Sequence, residues 1–486
     1  MDVTPEFIDA AVAAFRAQLV AAVDQMGEAR APAAFCASER TVHSLALEIA
    51  ADLTQRVLQA VSDDKERRRE AMARVRELAA SRGIEVRQER SRKTKVRTAG
   101  GQVIEVTTPY MTAKPRAGPS LKKRGAQGTG VYPVLDQLGI AGRCTPALRL
   151  RVSHAVCEAN SVSSARELLA AGGVALGHKT ALRLTYMVCD DALRARKQAM
   201  KDQQHGNDDG EFAGRRVVVT VDGGRINIRR RVGGRPKKGG RKRFETEWRE
   251  PKILTLYVLG PDGKRDRTVP SVIDGTLGNA DAVFELIRYH LLRLGAHKAS
   301  DVAVVGDGAL WIWERADALR KALGLPSERF QEIVDYFHAV ERLGDFAKSR
   351  DKWTEEYRRL WVATQKKRLK AGLIEEIESV FKVIAKQNSE NLKTQTAYWE
   401  RNRERLRFAA FRQRGLPNGS GAVESSVRRV VNLRLKGASI TWTEEHAEGV
   451  LHLRAHAKSG RWAELEDTVL STTGWRPTAR RPRKAA

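Results

Sequence analysis

Apolar residues recur at helical spacing through residue 81, and at strand spacing just beyond it. Phe7, Ala11, Phe15, Leu19 and Val23 mark one face of a helix that Thr4 would cap, with Pro5 at its first position and Glu6 in its first turn. A second helix is expected from about Thr41, on Leu45, Ile49, Leu53, Val57 and Val61, and a third from Asp64 to about Ser81. Residues 1–85 thus read as a helical domain. From Val86 to Met111 the period shortens to two, and β-formers alternate around Gly100-Gly101, which is a hairpin signal. The Gly, Pro and Lys that follow make 86–135 a β-hairpin with a basic linker.

Residues 136–205 return to helical spacing. Thr145-Pro146 opens one helix, and Ser163 to Thr180 reads as helix, Gly-bearing turn, helix. This is either a DNA-reading helix-turn-helix, with Lys179 and Arg183 on its second helix, or an ordinary packed pair. From Val217 the pattern becomes short apolar runs ended by glycine or aspartate. These are Val217 to Val221 before Asp222-Gly-Gly, Lys252 to Leu259, Thr268 to Ile273, Asp301 to Gly306 before Asp307-Gly308, and Phe330 to Val334 before Asp335. An amphipathic helix from Asn279 to Leu294 separates the third run from the fourth. Alternating strands and helices over 212–344 predict an α/β core.

Residues 345–412 form a helical insertion whose apolar stripe is Trp353, Tyr357, Leu360, Trp361, Leu373, Ile374, Ile377, Phe381, Tyr398 and Trp399. Over 413–465 a Gly-rich loop opens a helix capped by Ser420, with Val423, Val427 and Val430 on its buried side and Glu424 beside them. Residues 466–486 read as a basic tail.

Charge narrows the functional classes. Over 486 residues, 87 Lys and Arg oppose 59 Asp and Glu, a formal net charge of +28, so a polyanion is the expected partner and nucleic acid the default one. Without a long apolar run or the basic and apolar segments of a signal peptide, the chain is expected to be cytoplasmic, with no membrane partner. Cys36, Cys144, Cys157 and Cys189 form no Cys-x-x-Cys pair and read as buried thiols. From Arg229 to Arg243, nine of fifteen residues are basic, and the glycines and proline argue against a regular element.

Asp222 closes an apolar strand and precedes glycine, so by itself it is either a metal ligand for phosphate chemistry or an ordinary turn residue, and Asp307 repeats the pattern. Carboxylates at the ends of adjacent strands suit Mg²⁺, which favours oxygen ligands and keeps waters and substrate phosphates. Glu424 is a third candidate, the alternative being an i,i+4 pair with Arg428. Asp335 and His338 share a helical face, and for them a site role and a structural role stand level.

Taken in order, Asp222-Gly-Gly-Arg225, Trp248-Arg-Glu-Pro-Lys252, Gly306-Asp-Gly-Ala-Leu-Trp-Ile-Trp313, Asp335-Tyr-Phe-His338, Gly419-Ser-Gly-Ala-Val-Glu-Ser425 and Arg434-Leu-Lys-Gly-Ala-Ser-Ile-Thr-Trp442 resemble the motif series of the Kra-type bacterial insertion-sequence transposases. Those belong with the DDE group and Mutator-like elements. The likeness runs from roughly residue 215 to 462, and more weakly from about 130.

The resemblance implies an α/β ribonuclease H-like catalytic core with a helical insertion, preceded by mostly α-helical DNA-binding regions and a β-hairpin. It implies that Asp222, Asp307 and Glu424 are catalytic and hold a pair of Mg²⁺ or Mn²⁺ ions, while Asp335 and His338 belong to the catalytic site by positioning substrate or by supporting the metal-holding residues, without binding metal directly. The implied activity is cleavage at the ends of an insertion sequence and joining of those ends to target DNA. An idle DNA-binding regulator and a nuclease of the same fold are the alternatives.

Double-stranded DNA, as terminal inverted repeats and target, is the expected partner, bound by a homodimer or higher assembly at the nucleoid. Expected DNA contacts are Lys122, Lys123, Arg124, Arg229, Arg230, Arg231, Arg235, Lys237, Lys238, Arg241, Lys242, Arg243 and Arg428. Some relatives carry cysteine pairs before the catalytic domain. This chain has Lys, Gly and Pro there, so the basic stretch from Lys114 to Arg124 stands in place of a zinc module.

Overall fold

The computed structural model describes residues 5–114, 130–232, 244–385, 390–437, 440–472 and 474–475. It divides into two compact units, 1–191 with 466–486 and 192–465. Lys122, Lys123, Arg124, Arg235, Lys237, Lys238, Arg241, Lys242 and Arg243 lie outside the described residues, as do the cap at Thr4 and the tail from Arg476.

In the first unit, α1 (Pro5–Glu28), α2 (Pro32–Asp63) and α3 (Lys65–Ala80) precede an antiparallel hairpin of β1 (Glu85–Arg97) and β2 (Val103–Lys114). α2 starts well before Thr41, because its Ala-rich opening has helix propensity without apolar periodicity, and Pro32 suits a first turn. Phe15 and Leu19 of α1 are half-buried and Val23 is exposed.

β3 (Gly130–Val131) extends the sheet at β2, and α4 (Pro133–Gln137), α5 (Pro146–Glu158), α6 (Val162–Ala171) and α7 (His178–Asp202) follow. Leu148, Val152, Leu169, Ala181 and Leu184 form the core between α5, α6 and α7. Of the two expected recognition-helix cations, Lys179 is exposed and Arg183 is bonded to the Gly142 carbonyl. Cys144, Cys157 and Cys189 are buried, whereas Cys36 is only half-buried.

The second unit is built on a mixed α/β sheet. β4 (Arg216–Gly223) leads into a ribbon of β5 (Ile226–Arg231) and β6 (Phe244–Arg249), then β7 (Lys252–Leu259), β8 (Val272–Thr276), α8 (Ala280–Arg293), β9 (Asp301–Gly306), α9 (Leu310–Ala322) and β10 (Phe330–Val334). The strand order is β10-β9-β4-β7-β8. β9 is parallel to both its neighbours, and β7 is antiparallel to both of its own. Val217 to Val221 are all buried, so β4 is covered on both faces, as a central strand must be.

The basic run departs from its expected irregularity. Arg229 to Arg231 are strand, because pairing with Phe244 to Thr246 and the anchorage of Ile226 and Ile228 in the core carry β5 outward.

Helices α10 (Tyr336–Lys348), α11 (Glu355–Ala371), α12 (Ile374–Ala385), α13 (Glu390–Asn402) and α14 (Phe408–Gln413) follow. Trp361, Phe381 and Trp399 are buried in the same core as the sheet, so these aromatics are packing residues. Tyr357, Leu360 and Leu373 are exposed, contrary to the expected stripe. The chain ends with α15 (Gly421–Val427), a π-helical turn (Arg428–Asn432), α16 (Glu444–Ser459) and α17 (Trp462–Thr472). Among the described residues no helix is long and apolar enough to cross a membrane.

Within the second unit, which takes in the end of α7 from Ala192, a buried charge network joins Arg196 to β8, α8 and α16. Asp274 accepts from Arg196 Nη1 at 3.0 Å, His290 Nε2 at 3.0 Å and His452 Nδ1 at 2.9 Å, and Arg196 Nη2 reaches Glu448 at 2.7 Å. Burial opposes ionisation of Asp274, but the Arg196 guanidinium and the ring N–H donors outweigh it and hold the carboxyl well below its usual range. Burial drives His290 down to about 4 and His452 to about 3, against the pull of Asp274.

An unfolded chain protonates its histidines near 6.5. Below that value the unfolded state therefore binds protons that the folded unit refuses. Stability present above pH ~6.5 falls as pH drops towards ~4, by up to about 1.4 kcal/mol per pH unit for each of these histidines. The urea midpoint should accordingly be lower at about pH 5 than at about pH 7. Equal midpoints would show that the network does not exclude protons.

Candidate active site

The three parallel strands converge on one row of carboxylates. β4 and β9 pair from Arg216 with Asp301 to Thr220 with Val305, and the same offset carries Asp222 to the level of Asp307. β10 and β9 pair from Phe330 with Val302 to Val334 with Gly306, and that offset carries Asp335 to the same level. The Asp335 amide donates to the Gly306 carbonyl at 2.7 Å, prolonging the ladder by one step. Three aspartates thus stand at the carboxyl ends of adjacent strands, the edge at which open α/β sheets bind ligands.

Their environments differ. Asp222 is half-buried and accepts from the Gly223 amide at 2.7 Å. Asp307 is exposed, and its Oδ1 accepts from the Ala309 amide at 2.9 Å. The turn beneath it needs Gly308, whose φ is 88° and whose Cβ would stand 2.6 Å from the Tyr398 hydroxyl. Asp335 is fully buried. Its Oδ1 accepts from the Phe337 and His338 amides at 2.6 and 3.0 Å, and its Oδ2 from the Ser420 amide. Both oxygens are spent on backbone donors, so Asp335 acts as a cap and a tie. The Tyr336 amide adds a bond to the Asn418 carbonyl at 2.8 Å. The start of α10 is therefore stitched to the Gly-rich loop.

That loop carries Glu424. Ser420 does not cap α15 as expected. Its amide is committed to Asp335, and its hydroxyl donates to Glu424 Oε1 at 3.4 Å. Val423, Val427 and Val430 are buried, and Thr255 of β7 bonds Ser426 at 2.8 Å, which seats α15 on the sheet. Glu424 and Arg428 are exposed and form no ion pair with each other. His338 sits half-exposed on α10 with its Nδ1 3.3 Å from Glu341.

The electrostatics converge on Asp222. Burial pushes its carboxyl above the ordinary value and the Gly223 amide pulls it back; the Asp307 and Glu424 carboxylates push it up, while His338 opposes them. Asp222 and Asp307 share a cavity of about 400 Å³ with Arg225, Glu250, Trp311, Asn432 and Lys436.

Among the described residues no three His, Cys, Asp or Glu are drawn together tightly enough to form a complete metal cage. The donor chemistry nevertheless fits Mg²⁺, which is usually held by one or two carboxylates together with substrate phosphates. Arg225, Lys436 and Asn432 escaped the pattern of strands and aspartates, since their only sequence signal is position within the glycine and basic motifs beside them. Comparison with protein-family models, with curated proteins and with solved structures finds no match for this chain.

Proposed function

We propose that this protein is a DDE transposase of the Kra-type insertion-sequence group, with a ribonuclease H-like core, acting on DNA by metal-dependent phosphoryl transfer. The observation that carries the reading is the placement of Asp222 and Asp307 at one level on neighbouring parallel strands, in one cavity, with Glu424 close enough to perturb Asp222. Two charge-sharing carboxylates on a chain of net charge +28 suit a polyanionic phosphodiester. The mixed five-stranded sheet with α15 seated on it supports the finer fold assignment.

In this reading Asp222, Asp307 and Glu424 hold Mg²⁺ or Mn²⁺. When bound, such ions neutralise the phosphate charge and activate a nucleophilic oxygen for in-line displacement. Arg225 and Lys436 at the cavity wall bind the flanking phosphates and fix the register of the strand. Asp335 serves the site by tying α10 to the Glu424 loop, and His338 stands on α10 within electrostatic reach of Asp222. Cleavage frees a 3′-hydroxyl, and its attack on target DNA needs the same positioning with no covalent intermediate on the protein. The reaction joins two element ends, so the working form is a dimer or larger on double-stranded DNA.

The test is strand transfer with pre-cut element ends, target DNA and Mg²⁺. Joined product is the expected result. Cleavage of uncut ends without joining would identify a nuclease, and salt-sensitive binding without either reaction would identify a regulator.

A further inference from the structure

The β5–β6 ribbon has two chemically different faces. Its register sets Asn227 opposite Trp248, Arg229 opposite Thr246 and Arg231 opposite Phe244, and directly opposed residues project to the same side. The alternate positions put Ile226, Ile228 and Arg230 with Glu245, Glu247 and Arg249 on the other side. On that second side the charges are internally compensated, since Arg230 reaches Glu247 at 2.7 Å and Arg249 reaches Glu247 at 3.5 Å. The first side carries no carboxylate. Its arginines are exposed, and Phe244 and Trp248 are each 51% exposed.

Two large aromatic rings left half in water beside uncompensated arginines make a surface that is costly to leave bare. It matches the chemistry of unpaired nucleic acid, where base faces stack on rings and phosphates meet guanidinium groups. The surface is also continuous with the cavity. Arg225 lines the cavity beside Asp222, and its guanidinium lies 5.4 Å over the Trp248 ring. At its base the ribbon is fixed by the Arg229 amide bonded to the Trp442 carbonyl at 2.8 Å and the Trp442 amide bonded to the Asn227 carbonyl at 3.0 Å.

We propose that the Arg229, Arg231, Phe244 and Trp248 face binds unpaired bases of the DNA strand that leaves the carboxylate cavity. The inference rests on the DNA-processing reading of that cavity and names the part of the substrate this face takes. Trp248 and Phe244 supply stacking surfaces, and Arg229 and Arg231 hold the phosphates between them. Arg230 belongs to the compensated side and takes no part.

The experiment uses the full chain, without divalent metal, on two probes: a blunt duplex and the same duplex with a short single-stranded overhang containing 2-aminopurine. Wild type should quench the 2-aminopurine by stacking. W248A and F244A should each lose quenching and weaken overhang binding by about tenfold, leaving blunt-duplex binding unchanged. Trp248→Phe, which keeps a ring, should retain the quench. R229A and R231A should weaken binding to both probes and flatten its salt dependence.

The proposal is overturned if W248A and F244A leave quenching and overhang affinity at wild-type values. It is equally overturned if they change only the oligomeric state, because the face would then cover a second copy of the chain. Failure of wild type to bind either probe would instead sink the DNA-processing reading itself.

Discussion

Asp222→Asn should abolish Mg²⁺-dependent DNA cleavage and joining, by about a thousandfold or more, while the folded protein loses no stability. The amide oxygen of asparagine can still accept the Gly223 N–H, so the local turn survives. The lost negative charge is one that the fold tolerates at a cost, because Asp222 is half-buried and its ionisation is opposed by burial and by the Asp307 and Glu424 carboxylates. Neutralising one member of a crowded carboxylate group removes repulsion, so thermal stability should hold or rise, as at other sites strained for function. Affinity for DNA without metal should also hold or rise. Asp307→Asn should behave in the same way, since Asp307 stands at the same register level in the same cavity. A cleavage and melting series on the two variants decides the matter. Wild-type cleavage by Asp222→Asn would end the assignment, and a fall in melting temperature matching the loss of activity would make Asp222 a structural residue.

The aspartates of β4 and β9 were legible because a valine run followed by Asp-Gly is a local signal, set by burial on both faces of a central strand. That the two strands lie side by side was expected from the repeated motif, and β4 does pair with β9; the register that sets Asp222 level with Asp307 comes from the pairing itself. Asp335 shows the same limit from the other side. An Asp at a helix start announces a cap, and it does cap α10. Nothing local announces that its second oxygen takes the Ser420 amide, or that the Ser420 hydroxyl turns to Glu424 and leaves α15 without a side-chain cap.

Local pattern also misled where context decided the outcome. Leu360 fits a helical stripe yet is exposed on α11, and Leu373 is exposed because it falls in the turn between α11 and α12. Arg229 to Arg231 read as loop by composition yet are held as strand by cross-strand pairing. The π-helical turn after Glu424 had no sequence signal at all, although such turns gather at functional sites.

Asp335→Asn should separate the two halves of the site. A carboxylate at this position accepts three backbone N–H groups, two on Oδ1 and one on Oδ2. An asparagine can keep its oxygen on the Phe337 and His338 amides and so preserve the cap on α10. Its Nδ2 then faces the Ser420 N–H, donor against donor, and the tie to the Gly-rich loop is lost. Losing a charge-assisted buried bond and leaving one amide unsatisfied should cost about 2–3 kcal/mol of stability. The functional effect should be larger than that cost predicts, because Glu424 lies four residues beyond the released Ser420 amide. A carboxylate displaced by about an ångström is enough for a loss on the order of a hundredfold in turnover.

Because Asp335 is buried and touches no substrate surface, DNA affinity should stay at the wild-type value while turnover falls. The Mg²⁺ concentration giving half-maximal activity should rise as Glu424 loses its place among the carboxylates. A purely structural role would lower activity only in proportion to the unfolded fraction and leave the Mg²⁺ requirement where it was. That pattern, measured well below the melting temperature of the variant, would show that the tie between Asp335 and Ser420 holds the fold without placing Glu424.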